Sequence, residues 1–310
     1  MTGTKTVVMG YHTMGCLGFE ALLAHGFEVA AVFTHRDDPR EEVWWESLAS
    51  KAEARGVPVH YAENARDAAV QDLVAAYAPD FLFSFYYRYM IPPAVLALAS
   101  RGALNLHGSL LPRYRGRAPV NWVLVEGQTE TGVSLHYMVE KPDAGALVDQ
   151  ERVAIDPLDT AFTLYGKLED AARRLLDRAL PALAAGTAQA SPLDLSQGSY
   201  RGGRKPADGK IDWSWPAPRI YDLVRAVTHP YPGAFTTLRG RRLLVWWALP
   251  VAGAGAEPGV VIAAGADGIT VAAGDGGVRL VTLQLEGQPE LPACSLALAA
   301  HVAPGERLGS

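Results

Sequence analysis

Short apolar runs alternate with helix-forming stretches through the first third of the chain. Residues 4–10 are an apolar run closed by a glycine, and residues 17–25 are rich in helix formers and stop at Gly26. The unit repeats. Residues 27–34 read as a strand, 41–55 as a helix ending at Gly56, 57–61 as a strand, 65–77 as a helix and 80–86 as a strand, before a helix over 92–101 and a strand over 103–107. Strands alternating with helices in this way predict a mostly parallel sheet covered on both faces, with right-handed crossovers and ligands gathered at the carboxyl ends of the strands.

The rhythm then changes. A short helix over 121–126 precedes a hairpin-like pair of strands, 131–139 and 146–155, and a long helix begins at 161 and is expected to stop near Pro181. Residues 187–208 are rich in Ser, Gly, Pro and Arg without periodicity, the mark of a linker. One more helix, 218–227, and strands over 234–238, 241–249, 259–263, 268–272 and 278–284 suggest a small β-barrel of the OB type. The fold class expected is therefore α/β: a Rossmann-like domain over residues 1–189, a linker over 190–208 and an OB-like barrel over 209–310.

Composition narrows the class. A 310-residue chain with 49% hydrophobic and 20% charged residues is not disordered, and its apolar runs are well short of the roughly 20 residues that cross a bilayer. The first ten residues lack a long apolar export segment, so the expected location is cytoplasmic, with no membrane partner. Cys16 and Cys294 form neither a CxxC pair nor a disulfide framework and read as buried thiols. A net charge of −5 disfavours nucleic acid as a partner, although residues 201–242 carry nine bases against three acids. That stretch reads either as a solvated face with a linker or as an anion-binding surface.

The glycines at Gly10, Gly15 and Gly18 sit where a dinucleotide fingerprint would, but GxGxxG is absent and Thr34-His35 stands where an acid would end the second strand. They read as a tight turn or as a place where backbone approaches a phosphate. HExxH, GxSxG, Walker and EF-hand patterns are absent, and the eight histidines lack metal-ligand spacing, so no metal is expected. The informative stretch is Asn105-Leu-His107. Two residues apart at a strand end, these side chains share one face at the ligand-binding edge. An imidazole manages protons near neutral pH, and a carboxamide N–H stabilises a tetrahedral oxyanion, which together suit acyl transfer to an amine. Taken alone, a strand-end Asn-x-His serves equally well as structure. Arg113, Arg115 and Arg117 follow, a stiff cationic rim suited to anionic substrates. Asp143, before Ala-Gly in a chain reversal, would fix the His107 ring if brought beside it, or would be an ordinary turn aspartate.

His107-Gly-Ser-Leu-Leu-Pro112, Arg115-Gly-Arg-Ala-Pro-Val-Asn-Trp122, Phe85-Tyr-Tyr-Arg88, Thr129-Glu-Thr-Gly-Val133 and Asp143-Ala-Gly145 together resemble the formyltransferase family that uses 10-formyltetrahydrofolate. The resemblance runs over nearly the whole chain, from Met14-Gly-Cys-Leu-Gly18 to Tyr231-Pro-Gly-Ala-Phe235. It implies that Asn105, His107 and Asp143 are catalytic, and that folate is held by Tyr89, Met90, Ile91, Arg117 and the run Val139, Glu140, Lys141, Pro142, Asp143. The wording is most similar to members that formylate the 4-amine of UDP-4-amino-4-deoxy-L-arabinose, a nucleotide-sugar step in lipid A modification and polymyxin resistance. Methionyl-tRNA formylation and formylation of another nucleotide-linked amino sugar are the alternatives the resemblance leaves open. A barrel gripping RNA through bases and Trp246 or Trp247 is the reading from a different class. A homo-oligomer also stays open.

Overall fold

Phe81–Phe85 is buried along its whole length, which suits a strand at the centre of a sheet with both faces covered. A computed structural model describes residues 3–39, 41–253 and 255–309. In chain order its elements begin β1 (Lys5–Gly10), α1 (His12–Ala24), β2 (Glu28–Thr34), α2 (Leu48–Glu53), β3 (Val59–Tyr61), α3 (Ala68–Tyr77), β4 (Phe81–Phe85), α4 (Pro93–Leu96) and β5 (Gly102–His107). They continue with β6 (Arg115–Gly116), α5 (Pro119–Val125), β7 (Glu130–Tyr137), β8 (Leu147–Ala154), α6 (Ala161–Ala185), β9 (Tyr200–Arg201) and α7 (Ala217–Val227). The last are β10 (Ala234–Leu238), β11 (Arg241–Val251), β12 (Val261–Gly265), β13 (Gly268–Ala272), β14 (Gly277–Leu285), β15 (Glu290–Pro292) and α8 (Ala293–Ala299). The chain divides into two units: Met1–Pro119, Glu130–Ala154 and Gly166–Gly202 form one, and Val120–Thr129, Ile155–Tyr165 and Gly203–Ser310 the other.

In the first unit seven strands run in the order β3-β2-β1-β4-β5-β7-β8. The first five are parallel, β7 is antiparallel to β5, and β8 is antiparallel to β7. The expected parallel-rich sheet is present, and the order reverses between β1 and β4, where such sheets open a crevice at their carboxyl ends. Helix α1 lies against this point. A Cβ on Gly18 would run into the ring of Phe85, so the glycine lets helix and strand approach closely.

Several elements differ from the periodicity. The helix expected over 41–55 is only Leu48–Glu53, because Trp44 and Trp45 pack on the His12 ring and Ser47 starts the helix by accepting the Ser50 N–H through its side chain. The helix over 92–101 shrinks to Pro93–Leu96, the helix over 65–77 begins at Ala68, and the strand over 57–61 begins at Val59. Helix α6 does not stop near Pro181 but continues to Ala185. Proline removes one N–H, yet Leu180 and Leu183 are both buried, and Arg101 donates to the carbonyls of Leu183 and Ala184 at 2.5 and 3.1 Å, which satisfies the helix end. Within residues 187–208 a short strand, β9, pairs in parallel with β6.

In the second unit β10-β11-β14-β13-β12 form an antiparallel sheet, with β15 on the free part of β14. The expected barrel takes a particular form. Residues 305–309 pair on both outer strands: Leu308 bridges Leu238, Arg307 bridges Val260, Gly305 N–H reaches Val261 O at 2.8 Å and Gly309 N–H reaches Thr237 O at 2.9 Å. This strap covers the edge at Val260–Val261 and the part of the β10 edge that residues 210–211, paired at Phe235, leave open. Cys16 is buried as expected, whereas Cys294, at the start of the surface helix α8, is partly exposed. No described helix is long and apolar enough to cross a membrane.

Replacing Gly18 by Ala is expected to destabilise the protein by about 1–3 kcal/mol, the usual cost of overpacking. Thermal unfolding checks this, and an unchanged melting temperature would contradict the close packing of α1 on Phe85.

Candidate active site

Strand β5 projects Asn105 and His107 to one face, as their i, i+2 spacing requires. Antiparallel β7 sets His136 directly opposite Asn105. Beyond β7 the chain folds back, and Gly145 permits this because a Cβ there would strike the Tyr137 carbonyl. Asp143 sits in the fold-back with φ 49°, a left-handed conformation that aspartate tolerates better than most residues.

The fold-back delivers the Asp143 carboxylate into the middle of the group. Its Oδ1 lies 3.2 Å from Asn105 Nδ2, 3.4 Å from His136 Nε2 and 3.7 Å from His107 Nδ1, while Oδ2 accepts the Gly116 N–H at 2.8 Å. Burial acts to raise the carboxyl pKa. The imidazoles of His107 and His136 and the Gly116 N–H more than reverse it, and the group is held well below the ordinary carboxylate range. Asp143 is therefore a fixed anion.

The ring of His107 is oriented from its other side. Its Nε2 lies 2.8 Å from the Tyr114 carbonyl, which can only accept, so Nε2 carries a proton and Nδ1 is the nitrogen left to exchange one beside Asp143. His136, 1% exposed, donates from Nδ1 to the Tyr137 carbonyl at 2.8 Å. Its Nε2 then faces Asn105 Nδ2 at 3.3 Å. The Asn105 amide donates to Asp143 Oδ1, and His136 Nε2 faces that same oxygen, so a nascent oxyanion would compete with Asp143 for the Asn105 N–H.

Sequence reasoning overlooked His136, because only the antiparallel register reveals it; the alternation of β7 would place it on the Asn105 face once that register is known. The other expected positions are more dispersed. Tyr89 and Met90 are about half exposed on the segment after β4, and Ile91 is buried in the core cluster against which Met138 packs, so the segments 89–91 and 138–143 share a footing. Val139, Glu140 and Lys141 are exposed, Pro142 is partly buried, and Arg117 is exposed with its backbone N–H on the Arg201 carbonyl. Exposed apolar groups at Tyr89, Met90 and Val139 offer the surface that a flat ring system requires. No three described His, Cys, Asp or Glu side chains converge as a metal-ligand set.

At the ends of β1 and β2, Tyr11, His35, Arg36, Asp37 and Trp45 line a cavity of about 190 Å³. The imidazoles here are of a different kind. Burial, reinforced by the Arg88 guanidinium, lowers His12 to about 3 and His35 to about 4. Both stay neutral near physiological pH.

A fixed carboxylate, an oriented imidazole and a carboxamide at a sheet edge are equipment for acyl transfer to a nucleophile without a covalent enzyme intermediate. The family model described as "Formyl transferase" matches residues 18–180 and that described as "Formyl transferase, C-terminal domain" matches residues 204–299. The first alone covers more than half of the chain, which belongs to the formyl transferase family. Among solved structures, the chain resembles the N-formyltransferase from Helicobacter canadensis in complex with folinic acid and dTDP-3-aminofucose (TM-score 0.69, 18% identity, 89% of this chain and 98% of that one). It also resembles WlaRD, a sugar 3N-formyl transferase solved in the presence of dTDP and 5-N-formyl-THF (TM-score 0.67, 16% identity, 93% and 100%). A third likeness is HypX from Aquifex aeolicus (TM-score 0.65, 17% identity), where 98% of this chain matches 49% of that one, so the chain spans about half the length of HypX.

His12 and His35 imply a pH dependence of stability. In the unfolded chain both titrate near 6.5, so below that pH the unfolded state binds protons that the folded state excludes. Their contribution is complete above about pH 6.5 and is lost as pH falls toward about 4 and below. Urea unfolding across this window should show declining stability, with a shallower decline in His35→Gln; equal slopes in the two proteins would contradict the assignment.

Proposed function

We propose that this chain transfers a formyl group from 10-formyltetrahydrofolate to the 4-amine of UDP-4-amino-4-deoxy-L-arabinose. The observation that carries the reading is the convergence of Asn105, His107 and Asp143 at one sheet edge in a member of the formyl transferase family. The neutral amine attacks the formyl carbon, a C–N bond forms, and the carbonyl oxygen takes up negative charge. His107, carrying a proton only on Nε2, accepts the proton lost by the amine through Nδ1, with Asp143 stabilising the charged ring. Asn105 and the imidazolium so formed stabilise the oxyanion, and the ring returns the proton to N10 as the bond from N10 to the formyl carbon breaks. Folate rests on Tyr89, Met90 and Ile91, on Arg117 and on residues 139–143.

Two features support a nucleotide sugar as acceptor. The wording of residues 115–122 follows the sugar-directed branch of the family, and two proteins of the same fold carry dTDP or a dTDP-linked amino sugar. The rival acceptor, methionyl-tRNA, rested on the bases of residues 201–242, and several of these are committed within the second unit. Arg225 is buried and paired with Asp222 at 2.8 Å, Arg239 pairs with Glu306 at 2.7 Å, and Arg241 donates to the Glu286 carbonyl at 3.0 Å. Lipid A modification is the process such a product would serve.

His107→Ala should remove most of the turnover, Asn105→Ala should cost on the order of a hundredfold or more, and Asp143→Asn should lower the rate while keeping the fold. Single-turnover formylation with circular dichroism as a folding control measures this; near wild-type rates in all three would refute the roles. In a panel of UDP-, dTDP- and GDP-linked amino sugars and charged initiator tRNA, the UDP-4-amino sugar should be formylated and the tRNA should not. Binding of the sugar should depend mildly on salt, where tRNA binding would fall steeply. Turnover of the tRNA alone would transfer the reading to its rival.

A further inference from the structure

Arg115 is buried, at 8% exposure, between two residues whose backbones contact the catalytic side chains. Its predecessor's carbonyl, on Tyr114, meets His107 Nε2 at 2.8 Å, and its successor's N–H, on Gly116, meets Asp143 Oδ2 at 2.8 Å. Its own backbone is pinned from the opposite side, the Arg115 N–H donating to the Ser199 carbonyl at 3.0 Å. The guanidinium has no comparable support. Its Nε is buried with no hydrogen-bond partner, and no carboxylate among the described residues pairs with it.

A buried cation without a counter-charge is costly, and proteins nearly always pair it. The neighbouring residue is cationic in its surroundings too: the guanidinium carbons of Arg113 and Arg201 lie 5.8 and 6.0 Å from the centre of the Tyr114 ring. Among the described residues the one carboxylate bonded to strand β6 is Asp143, already engaged by Asn105, the two imidazoles and Gly116. The strand whose backbone holds His107 and Asp143 therefore also carries a buried cation with no counter-charge.

We propose that Arg115 receives the sugar-linked phosphate of the nucleotide substrate. The inference rests on the nucleotide-sugar reading of the preceding section and adds where the diphosphate is held. In a 4-amino pyranose the amine and the C1 phosphate lie at opposite ends of one ring, so an amine at His107 carries its nearest phosphate one ring away. The carboxylates of a folate lie beyond the p-aminobenzoyl group, farther from the transferred carbon. A guanidinium flanking the catalytic residues suits the phosphate, which it can bind through two parallel N–H donors. Arg113 and Arg201 supply the outer rim.

The test uses the whole chain and Arg115→Met and Arg115→Lys variants, titrated calorimetrically with UDP, dTDP, uridine, pyrophosphate and folinic acid. Wild type is expected to bind a nucleoside diphosphate well above uridine. Arg115→Met should lose about tenfold or more of that affinity, as for a hydrogen-bonded charge, and Arg115→Lys should lose an intermediate amount, with folinic acid binding unchanged in both. Because an uncompensated buried charge is removed, ligand-free Arg115→Met should melt no lower than wild type. A variant that unfolds or melts lower would show the guanidinium to be structural and overturn the proposal. So would unchanged UDP and dTDP affinity, or a loss confined to folinic acid. If wild type formylates no amino-sugar nucleotide yet binds diphosphates through Arg115, the functional reading fails while the phosphate site stands.

Discussion

The first unit is organised around one carboxylate. Asp143 is buried, ionised and contacted from four directions, by the Asn105 amide, by two imidazoles and by the Gly116 N–H. An isolated carboxylate in such a place would cost several kcal/mol, and each charge-assisted hydrogen bond offsets about 1.5–3 kcal/mol of that, so the arrangement depends on all the partners being in place. They come from three segments: β5, the segment that ends in β6, and β7. The antiparallel pairing of β7 on β5 is what brings His136 opposite Asn105, and the fixed anion in turn holds the rings and the amide in register. The reactive geometry and the local fold are thus one set of interactions.

The parts of this arrangement that follow from local periodicity were readable from the chain. Apolar strands alternating with helices placed Asn105 and His107 on the same face at a strand end, because strand geometry permits nothing else. The approach of Asp143 was not readable in the same way, since it depends on a left-handed residue and on Gly145 passing close to a carbonyl. His136 was hidden for another reason: its role comes from register with a strand some thirty positions earlier, and register is a tertiary property. The errors in element length have equally particular causes. Trp44 and Trp45 leave a helical pattern to pack on His12, and α6 passes Pro181 because its buried leucines and the Arg101 side chain sustain the next turn.

Charge counted along the sequence differs from charge available in the structure. The basic run of residues 201–242 suggests a broad attractive surface, yet Arg225 and Arg239 are neutralised by acids beside them. Arg115 belongs to a shorter and less conspicuous basic run and keeps its charge unmatched. The histidines divide along the same lines. Burial beside Arg88 keeps His12 and His35 neutral near physiological pH as packing rings, whereas His107 faces a fixed carboxylate.

The strap of residues 305–309 bears on how the second unit is made. It is a late-arriving piece that touches both the strand at 234–238 and the segment at 260–261, so during synthesis the edge at 260–261 and the end of the first strand beyond its pairing with residues 210–211 stand bare until the strap emerges. Exposed edges are templates for pairing with other chains, and their lifetime sets the exposure to misassembly. The vulnerable interval for this unit therefore opens once β14 joins the two hairpins into one sheet and closes when residues 305–309 arrive, a stretch of about twenty residues whose delivery belongs to the messenger and the ribosome as much as to the folded protein.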